Sequence, residues 1–238
     1  MIDVVIPYVR NRFWPEKLKY ALRSFHGNFK DDFRVHIIGY LPDWCRNVEH
    51  YPFEDDLQNP KENKLGQKLK IAMKRLPRFI WTYDDIYLLQ PVSLEDLLVP
   101  RVNEYLGLFS KEQRLAGPFG DKLWRTYERC LELGLSGFSF QRHLPYVFES
   151  NKLARVYELF NIEEGEHFAQ TAYFNLFFPG DKNLVWDHEK VVFYNKDDFA
   201  RNPDFGNAKF MNHNDIGCTK ALQQRIHELF PEKSAFEK

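Results

Sequence analysis

The sequence is poor in cysteine, lacks long apolar runs and has no excess of charge of either sign. Its three cysteines lie far apart and form no CxxC pair, and any disulfide scheme would leave one of them unpaired. We therefore expect a reducing compartment. The 33 lysines and arginines nearly balance the 34 aspartates and glutamates, so the total charge gives no sign of a strongly polyanionic partner.

Segments that direct a chain to or into a membrane are also missing. The opening MIDVVIPYVRNRFW holds a short apolar run and lacks the basic flank and small-residue cleavage site of a signal peptide. No later stretch approaches the roughly 20 apolar residues that a membrane-spanning helix needs. These absences predict a cytoplasmic protein of a bacterium or a phage-infected cell, without stable insertion into a membrane.

Several common catalytic motifs are absent. Neither GxxxxGK(S/T) nor GxGxxG occurs, which excludes a P-loop and a dinucleotide-binding fingerprint. GxSxG and HExxH are missing too, so nothing in the sequence nominates a serine hydrolase or a zinc protease. A phosphate-bearing ligand would have to be held by other means.

Strand and helix patterns alternate in the first third of the chain. Apolar, β-branched runs at residues 2–8, 34–40 and 79–83 are typical of buried strands. Between them, apolar residues recur at spacings of three and four in residues 15–29 and 67–76, which is typical of helices with one buried face. The order β-α-β-α-β predicts a parallel sheet with right-handed crossovers.

The rest of the chain favours helices. We predict them at residues 93–98, 121–133, 150–160 and 219–230, with one or two strands within 184–194. The predicted fold class is α/β, with a mainly parallel, Rossmann-like sheet flanked by helices and a helix-rich C-terminal half. Because no repeat or Gly/Ser linker occurs, we predict one domain over residues 1–238, with 1–91 as its β-α-β-α-β part.

The strongest local signal for chemistry is FIWTYDDIYLL, residues 79–89. Its two adjacent carboxylates, Asp84 and Asp85, stand between apolar runs, where burial is costly without a compensating charge. Ligands of open α/β sheets bind beyond the carboxyl ends of the strands, where this pair would lie. Mg²⁺ or Mn²⁺ would satisfy the pair and could hold a diphosphate. An ordinary exposed turn is the alternative.

A second polar cluster is KFMNHNDIG, residues 209–217, in which Asn212, His213, Asn214 and Asp215 stand together. This mixture suits a ligand-binding loop. Asn214 or Asp215 could complete a metal shell, and His213 could act as a base or contact a phosphate. An Asx turn before the C-terminal helix explains the same residues without a ligand.

Isolated basic residues are weaker candidates. His143 precedes a rigid proline by two residues in HLPY, and single histidines are ordinarily structural or exposed. A cluster of basic side chains before the third strand could neutralise a diphosphate, although a solvated helix face explains it equally well. The cluster consists of Lys61, Lys64, Lys68 and Arg75.

Taken in order, several segments resemble the conserved blocks of the Stealth family. This family includes bacterial capsular polysaccharide phosphotransferases and the catalytic subunit of the lysosomal-enzyme N-acetylglucosamine phosphotransferase. The first block resembles IDVVIPYV, and the second resembles LKYALRSF, VHIIGYLPDW and FIWTYDDIYLLQPV. The third resembles RHLPYVF, and the fourth resembles KFMNHNDIG with ELFPEKSAFEK.

The resemblance implies a GT-A-like nucleotide-sugar fold and a divalent cation, Mg²⁺ or Mn²⁺. Residues 1–91 would then bind the donor, and residues 92–238 would form the acceptor side and the C-terminal part. The complete set of predicted site residues comprises catalytic Asp85, His143 and His213, donor-binding or substrate-binding Pro7, Tyr8, Arg23, Lys64, Lys68, Asp84 and Asn212, and the metal ligands Asp85, Asn214 and Asp215.

Two departures from the family shift the expected reaction. The first strand runs into PYVRNRFW, and GEHFAQTAYF replaces a stretch of the third block. They favour a glycosyltransferase that moves a sugar from a nucleotide-sugar donor to an acceptor hydroxyl of a polysaccharide or glycan, or of a modified DNA base if the enzyme is phage-encoded. The alternatives are a Stealth-type sugar-1-phosphate transferase and, from another class, a non-catalytic carbohydrate- or nucleotide-binding module.

Overall fold

The computed structural model describes residues 1–10, 13–55, 63–179, 185–186 and 189–238. Its strands are β1 (Ile2–Tyr8), β2 (Phe33–Gly39), β3 (Val48–Tyr51), β4 (Arg78–Trp81), β5 (Ile86–Leu88), β6 (Arg101–Val102), β7 (Glu104–Tyr105), β8 (Phe138–Ser139), β9 (Tyr146–Glu149), β10 (Val185–Trp186), β11 (Lys190–Phe193) and β12 (Phe210–His213). Its α-helices are α1 (Lys17–Asn28), α2 (Asn63–Arg75), α3 (Leu94–Leu98), α4 (Pro118–Glu132), α5 (Ser150–Leu159), α6 (Ala169–Phe177), α7 (Asp198–Arg201) and α8 (Lys220–Leu229).

A five-stranded sheet in the order β3-β2-β1-β4-β9 forms the centre of the fold. β1 pairs in parallel with β2 and β4, and β2 pairs in parallel with β3. β9 closes the other edge antiparallel to β4. The predicted α/β class, with a mostly parallel central sheet flanked by helices, is confirmed.

The order in which the chain adds strands to this sheet reverses at β1, with β2 and β3 on one side of it and β4 on the other. Val4 and Ile6 pack in one core with Leu22 of α1, whereas the intervening Val5 packs in another core with Leu69 of α2. The crossovers through α1 and α2 therefore lie on opposite faces, as right-handed connections require when the direction reverses. The resulting topological switch point lies between β1 and β4, at the carboxyl ends of both strands, where open α/β sheets bind ligands.

The ends of β1 and β2 approach each other closely at Gly39. This residue has φ of +125°, and a Cβ built on it would lie 2.0 Å from the carbonyl oxygen of Tyr8. Only glycine adopts this conformation and fits this approach without strain. The predicted strand 34–40 is thus confirmed, and its end lies at Gly39.

The segment predicted as a ligand-binding loop contains a strand instead. β12 lies between β11 and β5 in a second sheet, parallel to the first and antiparallel to the second. Asn212 pairs with Ile86 and is 1% exposed. The four-residue strand carries two polar side chains, so its sequence shows no apolar alternation, and only pairing with β5 identifies it.

The C-terminal half holds helices α3 to α8, of which α3, α4, α5 and α8 were predicted, together with short strands that were not all foreseen. Ser93 caps α3 in a capping box with Asp96, which confirms that predicted boundary. Helix α6 was not predicted, because AQTAYFNLF is buried from Ala169 to Asn175 and shows no polar face. Among the described residues, no helix is long and apolar enough to cross a membrane.

Arg23, predicted to bind a substrate, is engaged elsewhere. Its Nε and Nη2 each donate to the Glu237 carboxylate at 2.8 Å, and Nη1 donates to the carbonyl of Phe230 at 3.0 Å. The side chains of Arg23 and Glu237 are only 10% and 4% exposed. The guanidinium therefore ties the segment after α8 to α1, and its bidentate geometry leaves little of it for a ligand.

We expect Glu237→Gln to lower the free energy of unfolding by about 2 kcal/mol at pH 7, because it weakens two buried charge-assisted hydrogen bonds. Burial would raise the pKa of Glu237, but the hydrogen bond from Arg23 holds it below its ordinary value. The carboxylate thus stabilises the fold above a pH of about 4.3 and loses this effect as the pH falls through its lower folded pKa. Urea denaturation at pH 7 and pH 3 measures both effects.

The matched control is Glu232→Gln, since Glu232 lies exposed in the same segment. It should leave the unfolding free energy within about 0.5 kcal/mol of the parent. Equal losses from both variants would mean that the Arg23 pair contributes nothing specific.

Candidate functional site

Asp84 and Asp85 occupy a tight turn at the topological switch point. The amide of Ile86 donates to the carbonyl of Tyr83 at 3.3 Å and closes the turn between β4 and β5. Just before this turn, the amide of Thr82 donates to the carbonyl of Val5 in β1 at 3.0 Å. The pair therefore stands where β4 emerges beside β1, and its turn connects the two main sheets.

Lys17 lies against the pair and was missed as a site residue from the sequence. Its ammonium is 3.2 Å from Oδ2 of Asp84, although the residue belongs to α1 and is only 8% exposed. A signal was present, because Lys17, Ala21 and Ser24 follow the spacing of one helix face. That face meets β5, where the amide of Leu88 donates to the Ser24 hydroxyl.

His143 approaches the pair from the other side. Its Nε2 is 2.9 Å from Oδ1 of Asp85, and its side chain is 38% exposed, so a ligand can reach the ring. The imidazole also lies against the ring of Tyr83, with centroids 4.7 Å apart, and the Tyr83 hydroxyl accepts a hydrogen bond from Gln170. With φ of +51°, His143 has the left-handed backbone that directs the chain into β9.

The two carboxyl groups have different electrostatic environments. Burial raises the pKa of Asp84, against the opposing charge of Lys17 and with a contribution from the Asp85 carboxylate. Burial would also raise the pKa of Asp85, but the charge and hydrogen bond of His143, together with Lys17, hold it well below its ordinary value. Asp85 is thus the member of the pair that stays ionised, and Asp84 is the one that accepts a proton more readily.

We expect His143→Asn to raise the pKa of Asp85 toward the ordinary value of about 3.9, because the variant removes its main cationic partner. Asparagine tolerates the left-handed backbone, so the turn should persist. A ¹³C NMR titration of the Asp85 carboxyl measures the change. His26→Asn, at an exposed histidine of α1, is the control, and an unchanged Asp85 pKa in the His143 variant would contradict the assignment.

His213, predicted as a base or phosphate contact, is a buried supporting residue. It is 1% exposed, its Nδ1 is 3.1 Å from the carbonyl of Asn214, and its Nε2 is 3.0 Å from the hydroxyl of Tyr87. Burial lowers the pKa of His213, which matches a neutral ring that donates from Nδ1 and accepts at Nε2. Both nitrogens are occupied, so the structure does not support direct contact with a ligand.

The other polar residues of this segment divide into two groups. Asn212 is buried, and its Oδ1 has no hydrogen-bond partner among the described residues. Asn214 and Asp215 are exposed in the turn after β12, where Oδ1 of Asn214 accepts from the amide of Gly217 at 2.8 Å. This is the Asx turn that was the alternative to a metal ligand. Asp215 lies near enough to Lys17 to contribute to raising the pKa of that ammonium.

The predicted donor-binding residues at the ends of β1 and α2 are mostly buried. Pro7 lies within β1 and Tyr8 is 2% exposed, so the main polar group they present is the Tyr8 carbonyl. Lys68 is 1% exposed and donates to Asp55 at 2.8 Å and to the Tyr8 carbonyl at 3.3 Å. Lys64 lies over the ring of Phe53.

These contacts give Lys64 and Lys68 a structural explanation, while direct donor contact stays a prediction. Arg75, from the same basic cluster, lies over the ring of Tyr51, 4.6 Å from its centroid. Lys61 falls outside the described residues.

Two cavities lie near the carboxyl-terminal edge of the central sheet. One of about 510 Å³ lies beyond the carboxyl ends of β1, β2 and β3 and is lined by Arg10, Tyr40 and His50, among others. The other, of about 220 Å³, lies on the β4 side and is lined by Tyr83 and His143, among others. His143 thus belongs both to the carboxylate pair and to the wall of the second cavity.

The donor chemistry of the site suits a hard cation, although the described residues contain no group of three or more His, Cys, Asp or Glu that could hold a metal ion. The ion pairs with Lys17 and His143 use one oxygen of each carboxylate. Two buried oxygens have no partner among the described residues, Thr82 Oγ1 and Asn212 Oδ1. Thr82 lies two residues before Asp84, and Asn212 pairs with Ile86, the residue after Asp85. Such atoms call for a ligand or water.

The site therefore combines an ionised carboxylate, a reachable imidazole held against it, and a buried ammonium, beside the cavity that His143 lines. Such a group can orient a base, move a proton and hold a charged ligand. The sequence matches no protein-family model and no curated protein.

Proposed function

We propose that the protein is a transferase of GT-A-like fold that uses a nucleotide-sugar donor and moves the sugar to an acceptor hydroxyl. The observation that carries this proposal is the Asp85–His143 pair, with 2.9 Å between Oδ1 and Nε2, at the switch point of the sheet. A carboxylate that orients an imidazole is a common arrangement for a general base. A cytoplasmic location and a polysaccharide, glycan or modified DNA base as acceptor belong to the same proposal.

The cavity beyond β1 to β3 is the proposed site of the donor nucleotide. Tyr40 lies in its wall with 36% of its surface exposed, and the guanidinium of Arg10 lies 5.4 Å from the centre of that ring. An exposed aromatic face suits a nucleobase, and a nearby guanidinium suits a phosphate. The diphosphate would then extend toward the ends of β1 and β4.

His143 is the proposed base for the acceptor hydroxyl. Its Nε2 hydrogen bonds to Asp85, which leaves Nδ1 to take the proton as the hydroxyl oxygen attacks the anomeric carbon. The bond between that carbon and the phosphate oxygen breaks, and the nucleoside diphosphate leaves. The ionised Asp85 stabilises the imidazolium formed in this step.

A divalent cation, Mg²⁺ or Mn²⁺, is part of the proposal. Asp84 and Asp85, with Asp215 and Asn214 of the turn after β12, would supply its oxygen ligands. When bound, the ion would contribute positive charge next to the donor diphosphate. Lys17 already occupies Oδ2 of Asp84, so the ion would bind the remaining carboxylate oxygens of the pair.

Transfer of a sugar phosphate is the second candidate. Segments that resemble separate Stealth blocks contribute to this site, since β1 pairs with β4, His143 is 2.9 Å from Asp85, and Asp215 raises the pKa of Lys17. The same base would then activate a hydroxyl for attack on the sugar-proximal phosphorus, and a nucleoside monophosphate would leave. The block order supports this candidate, and the two departures noted above support the first.

The test is to incubate the protein with a panel of nucleotide sugars and Mg²⁺ or Mn²⁺ and to identify the released nucleotide by chromatography. Nucleoside diphosphate supports glycosyl transfer, and monophosphate supports transfer of the sugar phosphate. Release of neither, with retained binding of a nucleotide sugar, supports the non-catalytic binding module. The requirement for the cation is tested separately by measuring nucleotide release without added metal and in the presence of a chelator.

A further inference from the structure

Helix α6 carries three polar side chains although it is buried from Ala169 to Asn175. Gln170 is 7% exposed, and Thr171 and Asn175 are fully buried. Burial of a polar group costs free energy unless the group is hydrogen-bonded, and apolar residues at these positions would avoid that cost. A buried polar network whose members are all hydrogen-bonded fixes the geometry of the parts that it joins.

The segment that carries His143 is held by this helix. Residues 136–143 include only the two-residue strand β8. Oγ1 of Thr171 accepts hydrogen bonds from the amide of Phe140 at 3.2 Å and from Nε2 of Gln141 at 3.0 Å. These two donors lie three and two residues before His143, so Thr171 fixes the chain where it approaches the imidazole.

Asn175 holds the same segment one helical turn later. Its Oδ1 accepts from the hydroxyl of Ser136 at 2.9 Å and from the amide of Phe138 at 3.2 Å. Its Nδ2 donates to the carbonyl of Phe138 at 2.7 Å. Since Asn175 follows Thr171 by four residues, one face of α6 contacts the segment through two successive turns.

A second connection runs from α6 to the imidazole through Tyr83. Nε2 of Gln170 donates to the Tyr83 hydroxyl at 2.7 Å. The Tyr83 ring faces the ring of His143, with centroids 4.7 Å apart and planes inclined by 35°. Aromatic rings at such separations attract each other in preferred orientations. Two contacts therefore orient the imidazole, the ring of Tyr83 and the carboxylate of Asp85.

We infer that Gln170 and Thr171 are positioning residues for the imidazole of His143. Gln170 acts through Tyr83, and Thr171 acts through the segment that precedes the imidazole. His143 needs this support because its side chain is 38% exposed and its backbone, with φ of +51°, belongs to no helix or strand. GEHFAQTAYF, the stretch that departs from the third Stealth block, supplies both residues.

The inference rests on the proposed function for the role of His143 as a base, but the orientation of its ring can be measured without turnover. NMR of the His143 nitrogens and carbon-bound protons reports it, because the facing Tyr83 ring displaces those protons upfield. Gln170→Met and Thr171→Val should each shift these resonances, since the ring no longer keeps one orientation. Thr171→Ser keeps the hydroxyl and should restore the parent spectrum.

Nucleotide release by the same variants, with folding checked by circular dichroism, tests the consequence for the reaction. A misplacement of about 1 Å can cost about 10²-fold in rate. Gln170→Met and Thr171→Val should therefore lower kcat about tenfold or more, with the KM for the donor within about twofold of the parent. Gln170→Met breaks a bond between side chains only, so it carries the test if Thr171→Val does not fold.

Ser234→Ala is the matched control. Its hydroxyl is also buried and hydrogen-bonded, but it donates to Glu237 in the segment after α8. This variant should change neither the His143 resonances nor kcat.

The inference and the proposed function can fail separately. Parent-like resonances of His143 in the folded variants would overturn the inference, and so would shifted resonances with an unchanged kcat. If the resonances shift as expected but the parent releases no nucleotide from any donor, α6 still orients His143 and only the proposed transferase falls.

Discussion

Asp85→Asn is expected to lower turnover of the donor about 10²- to 10⁴-fold, the contribution of a positioned acid–base group. The amide cannot hold the imidazolium of His143 by charge, and it can present its N–H₂ group to Nε2 and so favour the wrong tautomer. Nucleotide release under saturating donor measures the loss. Affinity for the nucleotide sugar, measured by calorimetry with metal present, should also fall, because Asp85 is one of the proposed ligands of the cation.

The control is Asp43→Asn, at an exposed aspartate in the turn after β2, which should keep full turnover. The same experiment separates an enzyme from a binding module. Turnover within about twofold of the parent would contradict the role of Asp85 as the residue that positions His143. A protein that releases no nucleotide with or without the change, yet binds the donor, would leave only the binding module.

Lys17→Met is expected to have the largest effect on stability, a loss of about 3–5 kcal/mol in the free energy of unfolding at pH 7. The change leaves adjacent carboxylates at the switch point without their ammonium, and Lys17 and Asp84 are only 10% and 17% exposed at their side chains. Urea denaturation followed by circular dichroism measures it. Lys19→Met, which removes a partly exposed pair between Glu16 and the same helix, should cost about 1 kcal/mol or less.

Asp84→Asn should partly rescue Lys17→Met, since the double variant removes both charges of the pair. A double-mutant cycle gives the coupling energy directly, and additive losses would contradict the pairing. The pH dependence has a defined sign. Burial would lower the pKa of Lys17, but Asp84, Asp85 and Asp215 raise it above its ordinary value, so its stabilising effect is complete below about pH 10.4 and disappears as the pH rises through the higher folded pKa.

The central sheet could be predicted because its strands are nearly pure apolar runs. All seven residues of β1 are buried, and a short apolar, β-branched run of this kind is typical of a buried strand of a parallel sheet. The position of Asp84 and Asp85 beyond β4 followed from the same topology. The distant partners did not follow, since periodicity in one segment carries no information about which side chain of another segment lies opposite.

Lys17 illustrates this limit. Its neighbours Lys19 and Arg23 made it look like one more charge on a solvated helix face, although it flanks the buried Ala21 and Ser24. His143 was a candidate only as one of many single histidines until the structure brought it to Asp85. His213 illustrates the opposite limit, because a polar residue in a cluster suggested a ligand, whereas the structure buries its ring against Tyr87.

The contacts that build the site and hold the C-terminal segment join distant parts of the chain. Asp85 and His143 are 58 residues apart, and the Arg23–Glu237 pair spans 214 residues. Contacts of such sequence separation close large loops, which makes their formation slow compared with that of local helices. After dilution from denaturant, helical circular dichroism should return before the quenching environment of the aromatic rings around His143 does. Recovered activity would then report the complete native state and not its early, partly ordered precursors.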